Sequence, residues 1–282
     1  MNRLSTAERV KVISVLVEGN SLRATSRITG VARMTVEKLL RDLGTVCAAH
    51  HDATVRGLNS QRIQCDEIWS FVGAKAKNVP ERRRGEWGDI WTWTAIDADS
   101  KFVVSWLVGG RDANYATTFM RDVASRLVNR VQLTTDGHKP YLMAVDDAFG
   151  ANVDYAQLVK VYGEAPDAEK RYSPAKCIGT KRSRITGDPD PKHVSTSYVE
   201  RQNLTMRMHM RRFTRLTNGH SKKVEMHEHN VALHFTYYNF CKIHETLRAT
   251  PAMVAGISDH VWDLWELVAL LASPSASERP AA

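Results

Sequence analysis

The hydrophobic pattern of this chain changes at about Arg62 from a helical period to a strand period. Before that residue, apolar side chains recur every three or four positions, as at Val10, Ile13 and Val17. After it, β-branched and aromatic residues gather in short runs, of which the first is IQCDEIWSFV at 63–72. A chain with this order is expected to fold as a helical segment followed by a segment that contains a sheet.

The first 45 residues predict three short helices. Thr6 is expected to cap the first helix and Ser21 the second. The third is expected over about 32–43, with Gly44 as its end.

This segment has the spacing of a helix-turn-helix, which needs a small residue, a turn glycine and an aliphatic anchor. In this chain these are Ser26, Gly30 and Val36. The third helix would then present three side chains to the DNA major groove or its phosphates. These are Arg33, Thr35 and Lys38. A three-helix cap without DNA contacts remains the alternative.

The second segment reads as an α/β domain with a mixed sheet and flanking helices. After the first strand, the pattern predicts a hairpin of two strands (89–96 and 101–108), a helix (113–128) and a strand (131–135). We therefore divide the chain into four parts. These are a helix-turn-helix domain at 1–45, a linker at 46–60, a catalytic domain at 61–250 with an exposed basic loop at 166–195, and a C-terminal helix with a disordered tail at 251–282.

Positive charge is concentrated in two parts of the chain. The net charge is +8, and residues 1–45 contribute +4 while residues 168–223 contribute +10. Such segregation is typical of a nucleic-acid-binding protein, although a solvated basic face would give the same count. No apolar run approaches the roughly 20 residues of a membrane helix, no leader is recognisable, and the four cysteines form no CxxC pair. We expect a cytoplasmic protein without a membrane partner.

Three carboxylates are candidates for one site, although Asp136 taken alone is equally typical of an Asp-Gly turn and Glu200 taken alone is more typical of a solvated helix residue. Asp66 lies in the middle of an apolar strand, with Gln64 and Ile68 on its face and Glu67 on the other. Asp136 ends a strand before a glycine, and Glu200 lies in a predicted long helix. Three such groups together would hold two Mg²⁺ or Mn²⁺ ions, which promote phosphodiester displacement.

Other acidic and histidine residues are alternative candidates for the same chemistry. Asp146 and Asp147 are the alternative second carboxylate, but their pattern is helical. Asp97 and Asp99 are more typical of a hairpin turn. His138 fits a contact to metal-bound water or DNA and a position in a solvated loop equally well. His227 and His229 point to different faces of their helix, which disfavours a metal site there.

Five segments in order resemble transposases of bacterial insertion sequences that use an Asp-Asp-Glu triad, most of all the insertion sequence one family. They are CDEIWSFVG (65–73), DIWTWTAIDADSKFVVSWLVG (89–109), TTDGH (134–138), YVERQNLTMRM (198–208) and YYNFCKIHETLRATPAMVAGI (237–257). The resemblance implies a ribonuclease H-like fold, with Asp66 and Asp136 on adjacent parallel strands and Glu200 on a helix. It also implies cleavage and joining of DNA ends without a covalent intermediate.

The sequence thus predicts a nucleoid-associated bacterial DNA transposase that binds double-stranded DNA at transposon ends and target. Because two ends are cut in concert, at least a homodimer on DNA is expected. Further DNA contacts are expected at Lys181, Arg182, Arg184, Asn203, Arg207 and Arg211. A non-catalytic regulator derived from a transposase and a nuclease of the same fold are the alternatives.

Overall fold

The computed structural model describes residues 4–163, 177–214 and 217–272. Its helices are α1 (Thr6–Val17), α2 (Leu22–Thr29), α3 (Arg33–Thr54), α4 (Ala113–Arg126), α5 (Pro140–Phe149), α6 (Ser197–His209), α7 (Val224–Thr236), α8 (Pro251–Val254) and α9 (Leu264–Ala269). Its strands are β1 (Arg62–Val72), β2 (Gly88–Asp97), β3 (Val103–Gly109), β4 (Val131–Thr135), β5 (Val153–Tyr162) and β6 (Cys177–Thr186). Among the helices described, none is long and apolar enough to cross a bilayer.

The described strands form one mixed sheet in the order β3-β2-β1-β4-β5-β6. Strands β1, β4 and β5 run parallel, β2 and β3 form an antiparallel hairpin beside β1, and β6 pairs antiparallel with β5. The expected α/β class, a mixed sheet with flanking helices, is confirmed.

Each face of the sheet is covered by its own set of helices. On one face, Cys65 packs with Phe119 of α4 and Tyr141 of α5. On the other, Ile68 packs with Val199 of α6 and with α7. The alternation predicted for β1 is therefore correct, and it directs Gln64, Asp66 and Ile68 towards α6.

The predicted end of the third helix at Gly44 is wrong, because α3 continues to Thr54. Gly44 lies where α3 crosses α7, and a Cβ atom there would stand 2.5 Å from the Cβ of His229. The glycine thus permits close packing of two helices instead of ending one. The expected linker at 46–60 is consequently helical over much of its length.

The N-terminal helices share a core with the C-terminal part of the chain. Val12, Val36 and Leu40 pack with Leu233 of α7 and Leu267 of α9. The three helices therefore share their core with α7 and α9. Where the sequence predicts one C-terminal helix in 251–282, the described residues contain two short α-helices, α8 and α9.

Two predictions of helix caps have different outcomes. Ser21 caps α2 as predicted, since its hydroxyl accepts from the N–H of Ala24 at 3.1 Å. Thr6 does not cap α1. Ser5 does, in a reciprocal capping box with Glu8.

The predicted basic loop at 166–195 is corrected by β6, because residues 177–186 form a strand. Pairing with β5 satisfies the backbone hydrogen bonds of this basic segment. Residues 187–195 of the predicted loop form no strand and contain one short 3-10 turn, whereas residues 166–176 and the predicted disordered tail at 273–282 lie outside the described residues.

Candidate functional site

Asp66 and Asp136 lie side by side at one edge of the sheet. The parallel pairing of β1 with β4 ends at Cys65 opposite Thr135; Asp66 is the next residue of β1, and Asp136 is the first residue after β4. The carboxyl end of a parallel strand such as β4 is where α/β proteins commonly bind ligands. The two carboxylates expected from the sequence are therefore brought together.

The Gln64 and Asn203 side chains attach helix α6 to β1 beside these aspartates. The Gln64 side-chain oxygen accepts from the backbone N–H groups of Tyr198 at 2.9 Å and Val199 at 3.3 Å. This contact caps the first turn of α6 from a distant strand. One turn later, the Asn203 amide donates to Asp66 at 2.8 Å.

Glu200 lies in the first turn of α6 and lines the same cleft as the two aspartates. Its carboxylate accepts from the Thr196 hydroxyl at 2.5 Å and forms an ion pair with Lys160 of β5. Glu200 is thus close to the aspartates but bound to other partners.

Glu67 is a further carboxylate at this site that the sequence analysis did not select. Oxygens of Asp66, Glu67 and Asp136 all lie within 4.8 Å of one another. Alternation along β1 directs the Glu67 side chain to the opposite face of the sheet from Asp66. Because Asp136 follows the end of β4, it is reachable from both faces, and the sequence gives no direct signal of that.

Burial and mutual repulsion raise the pKa of two of these groups. Burial raises the pKa of Asp66 to about 7, and the nearby carboxylates of Asp136 and Glu200 add to the effect. Burial is the main cause that raises the pKa of Glu67 to about 8, and the negative charges of Asp136 and Asp66 add to it. The site therefore favours a compensating positive charge.

The cleft around these groups has a volume of about 890 Å³. Four basic side chains line it, namely Arg111, Lys139, Lys160 and Arg207. The Arg111 guanidinium lies 3.4 Å from Glu67 and 3.8 Å from Asp136. A carboxylate floor with a basic rim suits a divalent cation below a phosphate group.

The donor set fits Mg²⁺ or Mn²⁺. These cations prefer carboxylate oxygens, and the clustered oxygens of Asp66, Glu67 and Asp136 supply them within a few ångströms. The close approach of like charges, costly without a cation, supports the same assignment.

The side chains expected to read DNA from the third helix are exposed at the start of α3. Arg33 pairs with Glu37 at 3.0 Å, Lys38 pairs with Asp42, and Thr35 lies between them on the surface. These short-range pairs leave the basic groups at the surface of the protein.

The basic residues expected in a loop lie on β6 instead. Arg182 is paired with Leu158 and Lys181 with Val159, so the two basic side chains point to opposite faces of the β5–β6 ribbon. Arg184 forms an ion pair with Asp188 at 2.8 Å, and Arg211 is exposed in a short helical turn after α6.

Asn203 differs from the role expected of it. It is only 6% exposed and is bonded to Asp66. The structure therefore makes Asn203 a partner of the carboxylate instead of a surface contact. Arg207, one turn further along α6, lines the cleft.

The alternative acidic and histidine residues lie in other settings. Asp97 accepts from the backbone of the β2–β3 turn, and Asp147 on α5 pairs with Arg121 at 2.6 Å. His227 is fully buried and bonded to Ser221 at 2.9 Å. His138 is at the site itself, where its backbone N–H donates to the Asp136 carboxylate at 2.9 Å.

No protein-family model matches the chain, and no curated protein is similar to it in sequence. Among solved structures, a cryo-EM structure of piggyBac transposase in a synaptic complex with hairpin DNA is similar, with 12% identity and a TM-score of 0.40. The match covers 98% of this chain and 73% of that one. Likeness at this level assigns no function, so the site geometry has to support one.

Proposed function

We propose that this chain is a DNA transposase, which binds the terminal inverted repeats of a transposon and carries out metal-dependent phosphodiester hydrolysis and strand transfer. The observation that carries the proposal is the convergence of Asp66, within β1, and Asp136, directly after the parallel neighbour β4. Glu200, from a helix fastened to the same strand, lines their cleft. Three carboxylates in one cleft with a basic rim suit phosphodiester chemistry.

The proposal includes a ribonuclease H-like catalytic core and a helix-turn-helix ahead of it. An antiparallel hairpin beside a parallel strand pair supports the first, as does the helix that carries the glutamate. The second is supported by Gly30, whose φ of 77° ends α2, and by the hydrogen bond of 2.7 Å from Ser26 to Val31.

Asp66, Asp136 and Glu200 are the proposed metal ligands. Two Mg²⁺ or Mn²⁺ ions bound here would activate a water or a 3′-hydroxyl and stabilise the leaving oxygen. Asn203 orients the Asp66 carboxylate through its hydrogen bond. Arg111 and Lys139 supply positive charge at the cleft where a DNA phosphate would enter.

Contacts to double-stranded DNA are proposed at the start of α3 and along β6. The start of α3 carries Arg33, Thr35 and Lys38, and β6 carries Lys181, Arg182 and Arg184. Two further contacts are proposed at Arg207 of α6, which lines the cleft, and at Arg211 just after that helix. Because both transposon ends have to be processed together, the active form is proposed to be a homodimer or larger oligomer on DNA.

The test is incubation with Mg²⁺ and linear duplex DNA that carries the terminal inverted repeats flanking the coding sequence. Wild type should cut at the repeat ends and join them to a second duplex. The isosteric variants Asp66→Asn, Asp136→Asn and Glu200→Gln should lose both products. Asp146→Asn, an exposed carboxylate on α5, is the matched control and should behave as wild type.

Equal cleavage by wild type and the three site variants would refute the proposal. Cleavage without any joined product would identify a nuclease. Binding of the repeats without cleavage would identify a regulator.

A further inference from the structure

Glu67 approaches Asp66 and Asp136 from the opposite side of the sheet to Glu200. It belongs to the face of β1 that packs on α4 and α5, as its neighbour Cys65 does. Asp66 instead bonds to Asn203 on the α6 side. The three carboxylates nevertheless meet within 4.8 Å, because β4 has ended and Asp136 lies between the two faces.

The Glu67 side chain is only 1% exposed. Its Oε1 atom is buried and makes no hydrogen bond of normal geometry with the residues that the structure describes. The Tyr141 hydroxyl is near enough to lower the pKa of Glu67, but it too has no partner among those residues at normal hydrogen-bond distance, so the buried oxygen is poorly solvated, which is costly. The oxygen is thus available to a cation at the cluster, which is an observation independent of the clustering itself.

Arg111 compensates the cluster only in part. Its guanidinium contacts Glu67 at 3.4 Å and Asp136 at 3.8 Å, both longer than a normal charge-assisted hydrogen bond. The single positive charge of Arg111 is thus shared between Glu67 and Asp136. A divalent cation would balance more of their charge and accept oxygens that Arg111 does not reach.

We propose that Glu67 is the third oxygen ligand of a divalent cation that Asp66 and Asp136 bind, on the side of the sheet away from Glu200. Carboxylate oxygens in this arrangement suit Mg²⁺ and Mn²⁺. Glu200, already bound by Lys160 and Thr196, is then not required for this first cation. The inference rests on the proposed function for the identity of the cation.

A simpler role for Glu67 would be to anchor Arg111. In that case Glu67→Gln would weaken cation binding only by leaving the positive charge of Arg111 uncompensated. The two roles separate in a double-mutant cycle, because the indirect effect disappears when Arg111 is absent. Arg111→Met removes the charge and keeps much of the side-chain volume.

The experiment is calorimetric titration of the full chain with MnCl₂ without DNA. Glu67→Gln should weaken Mn²⁺ binding at the first site about tenfold or more, and the loss should persist in the Glu67→Gln/Arg111→Met double variant relative to Arg111→Met. Glu200→Gln should leave this first site near wild-type affinity, and so should the surface control Asp146→Asn. Should Glu67→Gln fail to fold, Glu67→Asp, which withdraws the oxygens by one methylene, is expected to weaken binding in the same way.

Wild-type affinity in Glu67→Gln would overturn the proposal, as would a loss that vanishes in the Arg111→Met background. These outcomes are distinct from failure of the proposed function. If wild type cleaves no DNA but Glu67→Gln loses Mn²⁺, only the function is refuted. If wild type cleaves DNA and Glu67→Gln binds Mn²⁺ normally, only the role of Glu67 is refuted.

Discussion

Replacing Gln64 by methionine should detach the first turn of α6 from β1 while leaving the side-chain volume almost unchanged. The Gln64 oxygen accepts from the N–H groups of Tyr198 and Val199 at 2.9 and 3.3 Å. At about 0.5–1.5 kcal/mol net for each bond, the loss of stability is about 1–3 kcal/mol. Most of it should come from Val199, which is fully buried and cannot exchange the bond for water.

The same change should impair catalysis, because Glu200 directly follows Val199. A misplacement of a reacting group by an ångström can cost up to about 100-fold in rate. We therefore expect DNA-end cleavage by Gln64→Met to fall about 10- to 100-fold. Mn²⁺ binding at Asp66, Glu67 and Asp136 should change little, because those residues are positioned by β1 and β4 and not by the first turn of α6.

The measurements are urea unfolding and single-turnover cleavage, with Gln132→Met as the matched control. Gln132 lies on the neighbouring strand and bonds to the backbone of Asp190 at 3.0 and 3.1 Å, in an exposed loop that does not carry Glu200. The control should lose less than about 1 kcal/mol and keep its cleavage rate. Equal stability and equal rates in the two variants would refute the role assigned to Gln64.

Three further predictions concern packing, pH and DNA binding. Gly44→Ala should destabilise the protein by about 1–3 kcal/mol in urea unfolding, because the new Cβ would clash with His229. Helix propensity alone favours alanine over glycine by roughly 1 kcal/mol and would raise the unfolding midpoint. A raised midpoint would therefore contradict the close packing of α3 on α7. Burial lowers the pKa of three histidines from 6.5 to about 3, so the unfolded chain binds more protons in that range. The contribution of these residues to the free energy of unfolding should therefore be fully present above about pH 6.5. Below that pH it should fall towards pH 3, by up to about 1.4 kcal/mol per pH unit for each of His51, His227 and His234. A free energy of unfolding that does not change over this pH range would contradict the prediction. In fluorescence anisotropy at several salt concentrations, Arg182→Ala should weaken DNA binding and its salt dependence more than Lys181→Ala, because Arg182 is on the ribbon face of Lys160 and the cleft; the reverse order would contradict this orientation.

The sequence was sufficient to predict the strands and carboxylates whose signals are local. Asp66 is conspicuous as a charge within an apolar strand, and Asp136 as an aspartate that ends one. The hairpin 89–108 has strong alternation and turn residues, and the structure has it as β2 and β3. These features depend on neighbouring residues alone.

The features that the sequence did not predict depend on distant contacts. Strand β6 is basic and forms because β5 supplies its hydrogen bonds. Gly44 resembles a residue that ends a helix, yet it permits the close packing of α3 on α7, some 180 residues later in the chain. Strand alternation alone places the side chains of Asp66 and Glu67 on opposite faces of the sheet. Their carboxylates meet at Asp136 because β4 ends just before that residue.

The central claim, that Asp66 is a metal ligand in phosphodiester cleavage, is tested most directly by exchanging its oxygen donor for sulfur. Mg²⁺ binds oxygen almost exclusively, whereas Mn²⁺ tolerates a thiolate better. Cleavage of terminal-repeat DNA by Asp66→Cys should therefore be lost in Mg²⁺ and partly restored in Mn²⁺, while wild type works in both ions. A variant that is equally active or equally impaired in the two ions would contradict the account.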